Sequence, residues 1–146
     1  MNKRLMHALS ALNAWVYRAS GGRLLGRFSS GAPVCLLTTM GRRSGQTRTV
    51  PLLYLPDGAD FIVVASQGGA PQHPGWYLNL QANPRAELQA GRQRFPVIGH
   101  VLDAAERARF WPKLVAIYPA YQTYQQRTTR EIPLLRLSPA APDAGG

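Results

Sequence analysis

From Pro33 to Leu102 the chain is cut at short intervals by turn-forming residues, and this limits its fold more than any other feature. GRRSG (41–45), PDGAD (56–60), GGAP (68–71), NP (83–84) and GR (91–92) separate short apolar runs. Glycine, proline and Asx residues supply turn geometry, so the runs between them read as strands joined mainly by hairpins. Pro33–Thr39, Thr47–Leu55 and Phe61–Ser66 are the first three strands. The second and third are expected to pair across Pro56–Asp60. Arg85–Ala90 and Arg94–Leu102 form another hairpin across Gly91-Arg92, and Ile132–Leu137 is the last strand. Pro74–Ala82 reads as a short helix closed by Asn83-Pro84. Asp103, with Glu106 three residues on, forms a capping box for a helix through Ile117, kinked or restarted near Pro112. Pro119 opens a further helical turn through Gln126. The order is not βαβ and no GxGxxG follows a strand, which argues against a doubly wound nucleotide fold. The pattern predicts an α+β chain: a small antiparallel barrel of about six strands with peripheral helices.

The chain has 146 residues, 45% of them apolar, and is expected to form one main domain with its own core. No apolar run approaches the ~20 residues of a membrane span. The start is not read as a signal peptide, because no long apolar stretch followed by small residues is present. Leu5, Leu9, Leu12 and Val16 recur at helical spacing over residues 3–19, beside Lys3, Arg4 and Arg18, and Ser20-Gly21-Gly22 ends the pattern. Two readings compete for this helix: packing on the core, or a basic amphipathic helix on an anionic membrane surface. The expected organisation is this helix at 1–20, a barrel domain at 21–138 and a disordered tail at 139–146. The single cysteine, Cys35, lies within PVCLL and reads as a buried thiol in a reducing compartment.

Charge is unevenly placed. The net charge is +10; residues 1–56 hold eight basic residues and no acid, while the rest hold nine basic residues and all seven acids. Such a segment suits an anionic ligand, nucleic acid or an anionic membrane. Nucleic acid is the weakest of these, because aromatics are not interleaved with the charge and no recognition motif is present.

The histidines, His7, His73 and His100, are scattered and no metal-binding spacing occurs. There is no GxSxG, and carboxylates are few. An enzyme built this way would leave its chemistry to a cofactor. TTMGRRSGQTRTVPLLY (38–54) is the best anion site: Gly41 and Gly45 allow close backbone approach, Arg42, Arg43 and Arg48 supply charge, and Ser44 and Thr49 supply hydroxyls. An ordinary solvated turn is the competing reading. Ser66-Gln67-Gly68-Gly69 is a second polar, glycine-rich strand exit, and Trp76-Tyr77-Leu78-Asn79 adds aromatic area beside an amide, unless Trp76 is simply a core anchor. Tyr118, Tyr121 and Tyr124 either line a pocket or pack with their hydroxyls at the surface.

Together NAWVYR, LLTTMGRRSGQTRTVPLLYL, VVASQGGAPQHPGWYLNLQANP, ERARFWPKLVAIYPAYQTYQQRT and REIPLLRL, in that order, resemble the deazaflavin-dependent nitroreductase family, whose fold is a split β-barrel. The resemblance implies coenzyme F420, an 8-hydroxy-5-deazaflavin whose tail carries a phosphodiester and glutamates. It implies that Arg42, Arg43, Ser44 and Arg48 take the tail, and that Thr49, Val50, Pro51, Leu52 and Leu53 pass along the cofactor. Val64, Ala65, Ser66 and Gln67 form a second contact segment, and Gly75, Trp76, Tyr77, Leu78 and Asn79 a third. Ser66, Tyr118, Tyr121 and Tyr124 fall on the substrate side, with Tyr121 also near the deazaflavin. Many relatives have Lys in place of Gln67; glutamine loses a charge there, for which Arg23 or Arg27 compensates or tail affinity falls.

The resemblance further implies an oxidoreductase that passes a hydride from reduced F420 to a quinone or nitroaromatic acceptor, with Tyr121 first, then Tyr118 and Tyr124, as proton donor. Alternatives are an F420-binding protein that stores or shields the coenzyme, and a barrel that uses FMN. A cytoplasmic place is expected, peripheral on the inner face of the membrane if the N-terminal helix binds lipid.

Overall fold

The computed structural model describes residues 33–141. The expected helix over 3–19, Arg23, Arg27 and tail residues 142–146 lie outside the described residues. Seven strands are present: β1 (Val34–Met40), β2 (Thr47–Leu53), β3 (Leu55–Asp57), β4 (Asp60–Val64), β5 (Arg85–Ala90), β6 (Gln93–Val101) and β7 (Leu134–Pro139). Three helices accompany them: α1 (Gly75–Ala82), α2 (Ala104–Ile117) and α3 (Ala120–Gln126), with a 3-10 turn at Gln67–Gly69.

All pairings are antiparallel and the strand order is β2-β1-β5-β6-β7-β4-β3. The two edge strands, β2 and β3, are consecutive in sequence, with Tyr54 alone between them. A flat sheet would hold its edges far apart, so this connection requires the sheet to curl until they meet. The result is a half-closed antiparallel barrel, as the turn spacing predicts. The tie at the junction is local: the Tyr54 N–H donates to the Pro33 carbonyl at 3.1 Å, and the Tyr54 ring meets Phe61 edge-on at 4.8 Å.

That junction corrects the expected hairpin. The run Thr47–Leu55 divides at Tyr54, giving seven strands rather than six. Its main part pairs with β1, Val34 opposite Leu53 through Met40 opposite Thr47. Only Leu55–Asp57 pairs with β4, across Gly58-Ala59. The apolar Val34–Leu37 segment is the better partner for Val50–Leu53, and the six-residue turn between β1 and β2 returns the chain along it.

Strand alternation sends side chains to two cores. Cys35, Leu37, Val63, Ala65, Leu88, Val97, Leu135 and Leu137 form one core with Trp76 and Leu80 of α1. Val34, Leu53, Ile62, Val64 and Leu134 face the other way, against Phe110 and Leu114 of α2, Tyr121 of α3 and Ile132. Each Val, Leu, Ile and Phe among them contributes about 1.5–3 kcal/mol on burial. Cys35 is fully buried and its thiol is pushed up to about 12 by desolvation, which leaves it unreactive.

The helix ends follow the sequence closely. Asp103 Oδ1 accepts the Glu106 N–H at 2.8 Å. Of the two outcomes expected at Pro112, a restart does not occur: α2 runs unbroken through it. The proline removes one hydrogen bond, that to the exposed Ala108, where water can replace it, while Phe110 and Leu114 hold the buried face. Order also extends past residue 138. β7 runs to Pro139, the Ala140 N–H donates to the Pro96 carbonyl, and Arg85 Nη2 donates to the Ala141 carbonyl. Among the described residues no helix is long and apolar enough to cross a membrane.

Candidate active site

The turn between β1 and β2 is built as a rigid rim. The Gly41 N–H donates to the Gln46 carbonyl at 2.7 Å, and the Gly45 N–H to the Gly41 carbonyl at 2.9 Å. Ser44 Oγ accepts the Gln46 N–H at 3.1 Å. A Cβ at Gly41 would lie 2.7 Å from Ser44 Oγ and 3.0 Å from the Gln46 carbonyl, so a larger residue there would have to displace the Ser44 side chain and crowd the turn. Asn79 of α1 secures the rim: its Oδ1 accepts both the backbone N–H of Arg42 at 3.1 Å and Arg42 Nη1 at 3.0 Å. The base of the hairpin is tied by Thr38 Oγ1 and Thr49 Oγ1 at 2.7 Å.

Arg42, Arg43 and Arg48 are exposed, and no carboxylate pairs with them among the described residues. Four other arginines do have carboxylate partners: Arg94 with Glu87, Arg107 with Glu131, Arg109 with Asp57, and Arg136 with Asp57 and Asp60. A preformed cationic loop without its own counter-ions suits the anionic tail of a cofactor such as F420.

The remaining candidates divide by burial. Thr49, Val50, Pro51 and Leu52 are half-buried on edge strand β2, while Leu53 is buried; proline is tolerated at an edge because the missing N–H faces no partner strand. Val64 and Ala65 are buried, Ser66 is half-buried and Gln67 exposed. Gln67 has φ +45°, the left-handed region unusual for a side chain with Cβ. In α1, Gly75 is exposed, Tyr77 and Leu78 are half-buried, and Asn79 is buried. Trp76 packs in the core formed with Leu80, Leu88 and Leu137, the anchor role left open by its sequence context.

The three tyrosines come together from two elements. Tyr118 ends α2, while Tyr121 and Tyr124 lie on α3. The Tyr118 ring lies 4.9 Å from Tyr121 and 6.2 Å from Tyr124, and their partners Tyr121 and Tyr124 are 6.4 Å apart. Tyr118 and Tyr124 hydroxyls share a hydrogen bond of 3.2 Å. That bond, then burial, raises the Tyr118 phenol above its ordinary value. Tyr121 is buried, and desolvation followed by the neighbouring phenols pushes its acidity well below that of a free tyrosine. Its hydroxyl makes no hydrogen bond among the described residues, so its proton is uncommitted.

A chain of contacts joins the cationic rim to the tyrosines. Arg42 binds Asn79 of α1; Tyr77 of α1 packs on His73 at 4.6 Å; His73 Nδ1 meets Arg130 Nη1 at 3.0 Å. Arg130 holds the loop after Ser66, and Gly69 of that loop abuts α3, where a Cβ would come within 2.6 Å of the Tyr124 carbonyl. Arg130 and His73 were not singled out from sequence. One arginine among fifteen and one scattered histidine carry no local signal. An open concavity of about 430 Å³ adjoins the rim, lined by Thr38, Thr39, Met40, Thr47 and Arg85. It includes neither Ser66 nor the tyrosines. Among the described residues no group of His, Cys, Asp and Glu could hold a metal ion.

The sequence profile of the F420H(2)-dependent quinone reductase family matches residues 9–139. An F420H(2)-dependent quinone reductase of Mycobacterium tuberculosis strain H37Rv is 40% identical over 134 residues, covering 89% of each chain. A solved F420-H2 dependent reductase, FDR-A, is 39% identical with a TM-score of 0.67, covering 73% of this chain and 94% of its own. A second solved chain, described as a domain-swapped dimer, is 33% identical with a TM-score of 0.70, covering 88% of this chain and 95% of its own. With the split-barrel fold and the cationic rim in place, these similarities show that the chain belongs to the F420H(2)-dependent quinone reductase family.

Proposed function

We propose that this protein reduces a quinone with reduced F420, and that its described residues divide the work between a tail-binding rim and a tyrosine-lined acceptor side. When bound, the reduced cofactor supplies a hydride. The single observation that carries the reading is the Asn79-anchored loop, whose Arg42 is held in place and whose Arg42, Arg43 and Arg48 have no carboxylate partner among the described residues. Arg42, Arg43, Arg48 and Ser44 bind the anionic tail. Thr49–Leu53 and Val64–Gln67 flank the ring, and Gly75–Asn79 back the rim. Ser66 and the tyrosines face the acceptor.

Reduction of a quinone to its hydroquinone takes one hydride and one proton. Tyr121 holds that proton. Burial makes its phenolate costly, so the phenol stays protonated across the working range and donates only into an oxygen that carries developing negative charge. Tyr118 and Tyr124, whose hydroxyls bond each other, position the acceptor rather than give up a proton. Nitroaromatic compounds are a second acceptor class for the same site. The basic amphipathic pattern of residues 3–19 supports a peripheral hold on anionic lipid, which liposome sedimentation with and without those residues would check.

Equilibrium titration by tryptophan fluorescence, with F420 and with FMN, tests the cofactor assignment. Saturable F420 binding with much weaker FMN binding is expected. Preference for FMN would overturn it.

A further inference from the structure

Arg130 makes a set of contacts unlike any other arginine of the described chain. Its Nε donates to the Ala70 carbonyl at 2.9 Å, Nη2 to the Ser66 carbonyl at 2.8 Å and Nη1 to the Ala65 carbonyl at 3.3 Å. Nη1 also lies 3.0 Å from His73 Nδ1. No carboxylate pairs with it among the described residues. Guanidinium has no acceptor, so His73 must present the Nδ1 lone pair and carry its proton on Nε2. One planar fork therefore gathers both ends of the Ala65–His73 loop.

The root of Arg130 is fixed as firmly as its tip. Its carbonyl accepts Gln125 Nε2 at 2.8 Å, and its N–H donates to Thr128 Oγ1 at 3.3 Å. Gln125, on the tyrosine-bearing α3, accepts in turn the Ile132 N–H at 2.9 Å and Arg107 Nη2 at 3.2 Å. A single residue thus links the helix that carries Tyr121 and Tyr124 to the strand exit that carries Ser66 and Gln67. Gln67, Gly68 and Gly69 all have positive φ; glycine takes that region freely, but Gln67 carries a Cβ there, and the clamp on Ser66 beside it helps hold it in place.

We propose that Arg130 is a positioning residue for hydride transfer: its fork sets the Ser66–Gln67 segment against the tyrosine helix, and so sets cofactor face against acceptor face. This rests on the proposed quinone reductase activity. Reaction rates depend steeply on such spacing, so a small shift of the loop would lower kcat while the tail contacts of Arg42, Arg43 and Arg48 stay in place. Lysine keeps the charge but offers one nitrogen in place of a fork and cannot span four acceptors.

The test combines Arg130→Lys with three readouts: amide hydrogen exchange of residues 65–73 without cofactor, F420 affinity, and steady-state quinone reduction. Expected are faster exchange at Gly69 and Ala70, whose N–H groups now bond Ser66 and Gln67 carbonyls, a kcat lower by roughly 10–100-fold, and an F420 Kd changed by less than about threefold. Unchanged exchange overturns the proposal whatever the activity. Faster exchange with full kcat also overturns it and leaves Arg130 a stabilising residue only. A weakened Kd with kcat intact would place Arg130 in tail binding. Should Arg130→Lys fail to fold, His73→Leu removes one of the four acceptors and carries the same readouts, with a kcat loss of roughly 3–10-fold. Wild-type protein inert toward reduced F420 defeats the functional reading instead, and is seen before any variant is measured.

Discussion

Asn79 holds Arg42 twice, by the backbone N–H at 3.1 Å and by the guanidinium at 3.0 Å, while its own amide donates to Thr39 Oγ1 at 3.0 Å. All three bonds tie α1 to the end of β1 and the turn that follows it. Replacing Asn79 with Ala leaves the buried Thr39 hydroxyl and the Arg42 N–H without partners, at about 1–3 kcal/mol of stability. Asn79→Asp is more telling. Its carboxylate still holds Arg42 but competes with an anionic ligand for it. Chemical denaturation should show Asn79→Asp closer to wild type than Asn79→Ala, whereas F420 titration should show weaker binding for both.

Tyr121→Phe keeps the aromatic surface and removes only the uncommitted hydroxyl. F420 affinity should survive, and turnover should fall by roughly 10²–10⁴-fold if proton donation limits the rate. Tyr118→Phe and Tyr124→Phe should act mainly on the quinone KM. Full turnover by Tyr121→Phe would make water the donor.

Much of this was legible beforehand. Turn chemistry located nearly every strand, because glycine and proline act locally, and the Asp103 cap and the Gly91-Arg92 turn formed as expected. Strand partners were less legible. Nothing local in Thr47–Leu55 says that the chain changes partner at Tyr54, since that depends on what the distant β1 and β4 offer. At Pro112 a restart stayed open in the sequence because propensity knows nothing of Phe110 and Leu114 on the buried flank. At the site, the clustered Arg42, Arg43 and Arg48 were visible as a local motif. Arg130 and His73 were not, because their meaning arises from contacts some sixty residues away in sequence.

His73 gives a pH signature. Burial, then the Arg130 charge, lowers its folded pKa below the ordinary value near 6.5. The groups that face it are the Arg130 guanidinium and the Tyr77 ring. The unfolded chain therefore binds the proton more readily. Stability contributed by neutral His73 is complete above the unfolded value and declines as pH falls below it, until the folded histidine titrates too. His73→Gln should lose this decline. Thermal melts of both proteins between pH 5 and 8 will read it as a difference in Tm that opens only on the acid side.

Gln67 is exposed at the strand exit, in a left-handed conformation. Gln67→Lys adds a cation there without filling a core. F420 binding should tighten modestly, and the gain should shrink as salt rises. A fall in affinity would mean that this side chain points away from the tail.

The central claim is tested most directly by following the oxidation of reduced F420 by menadione, with wild-type protein and with Arg42→Ala and Arg48→Ala. The account predicts protein-dependent oxidation that saturates in both reactants, and a raised F420 requirement in each variant, each lost contact being worth about 1.5–3 kcal/mol. Oxidation no faster than without protein would contradict the activity, and variants indistinguishable from wild type would contradict the rim as its cofactor site.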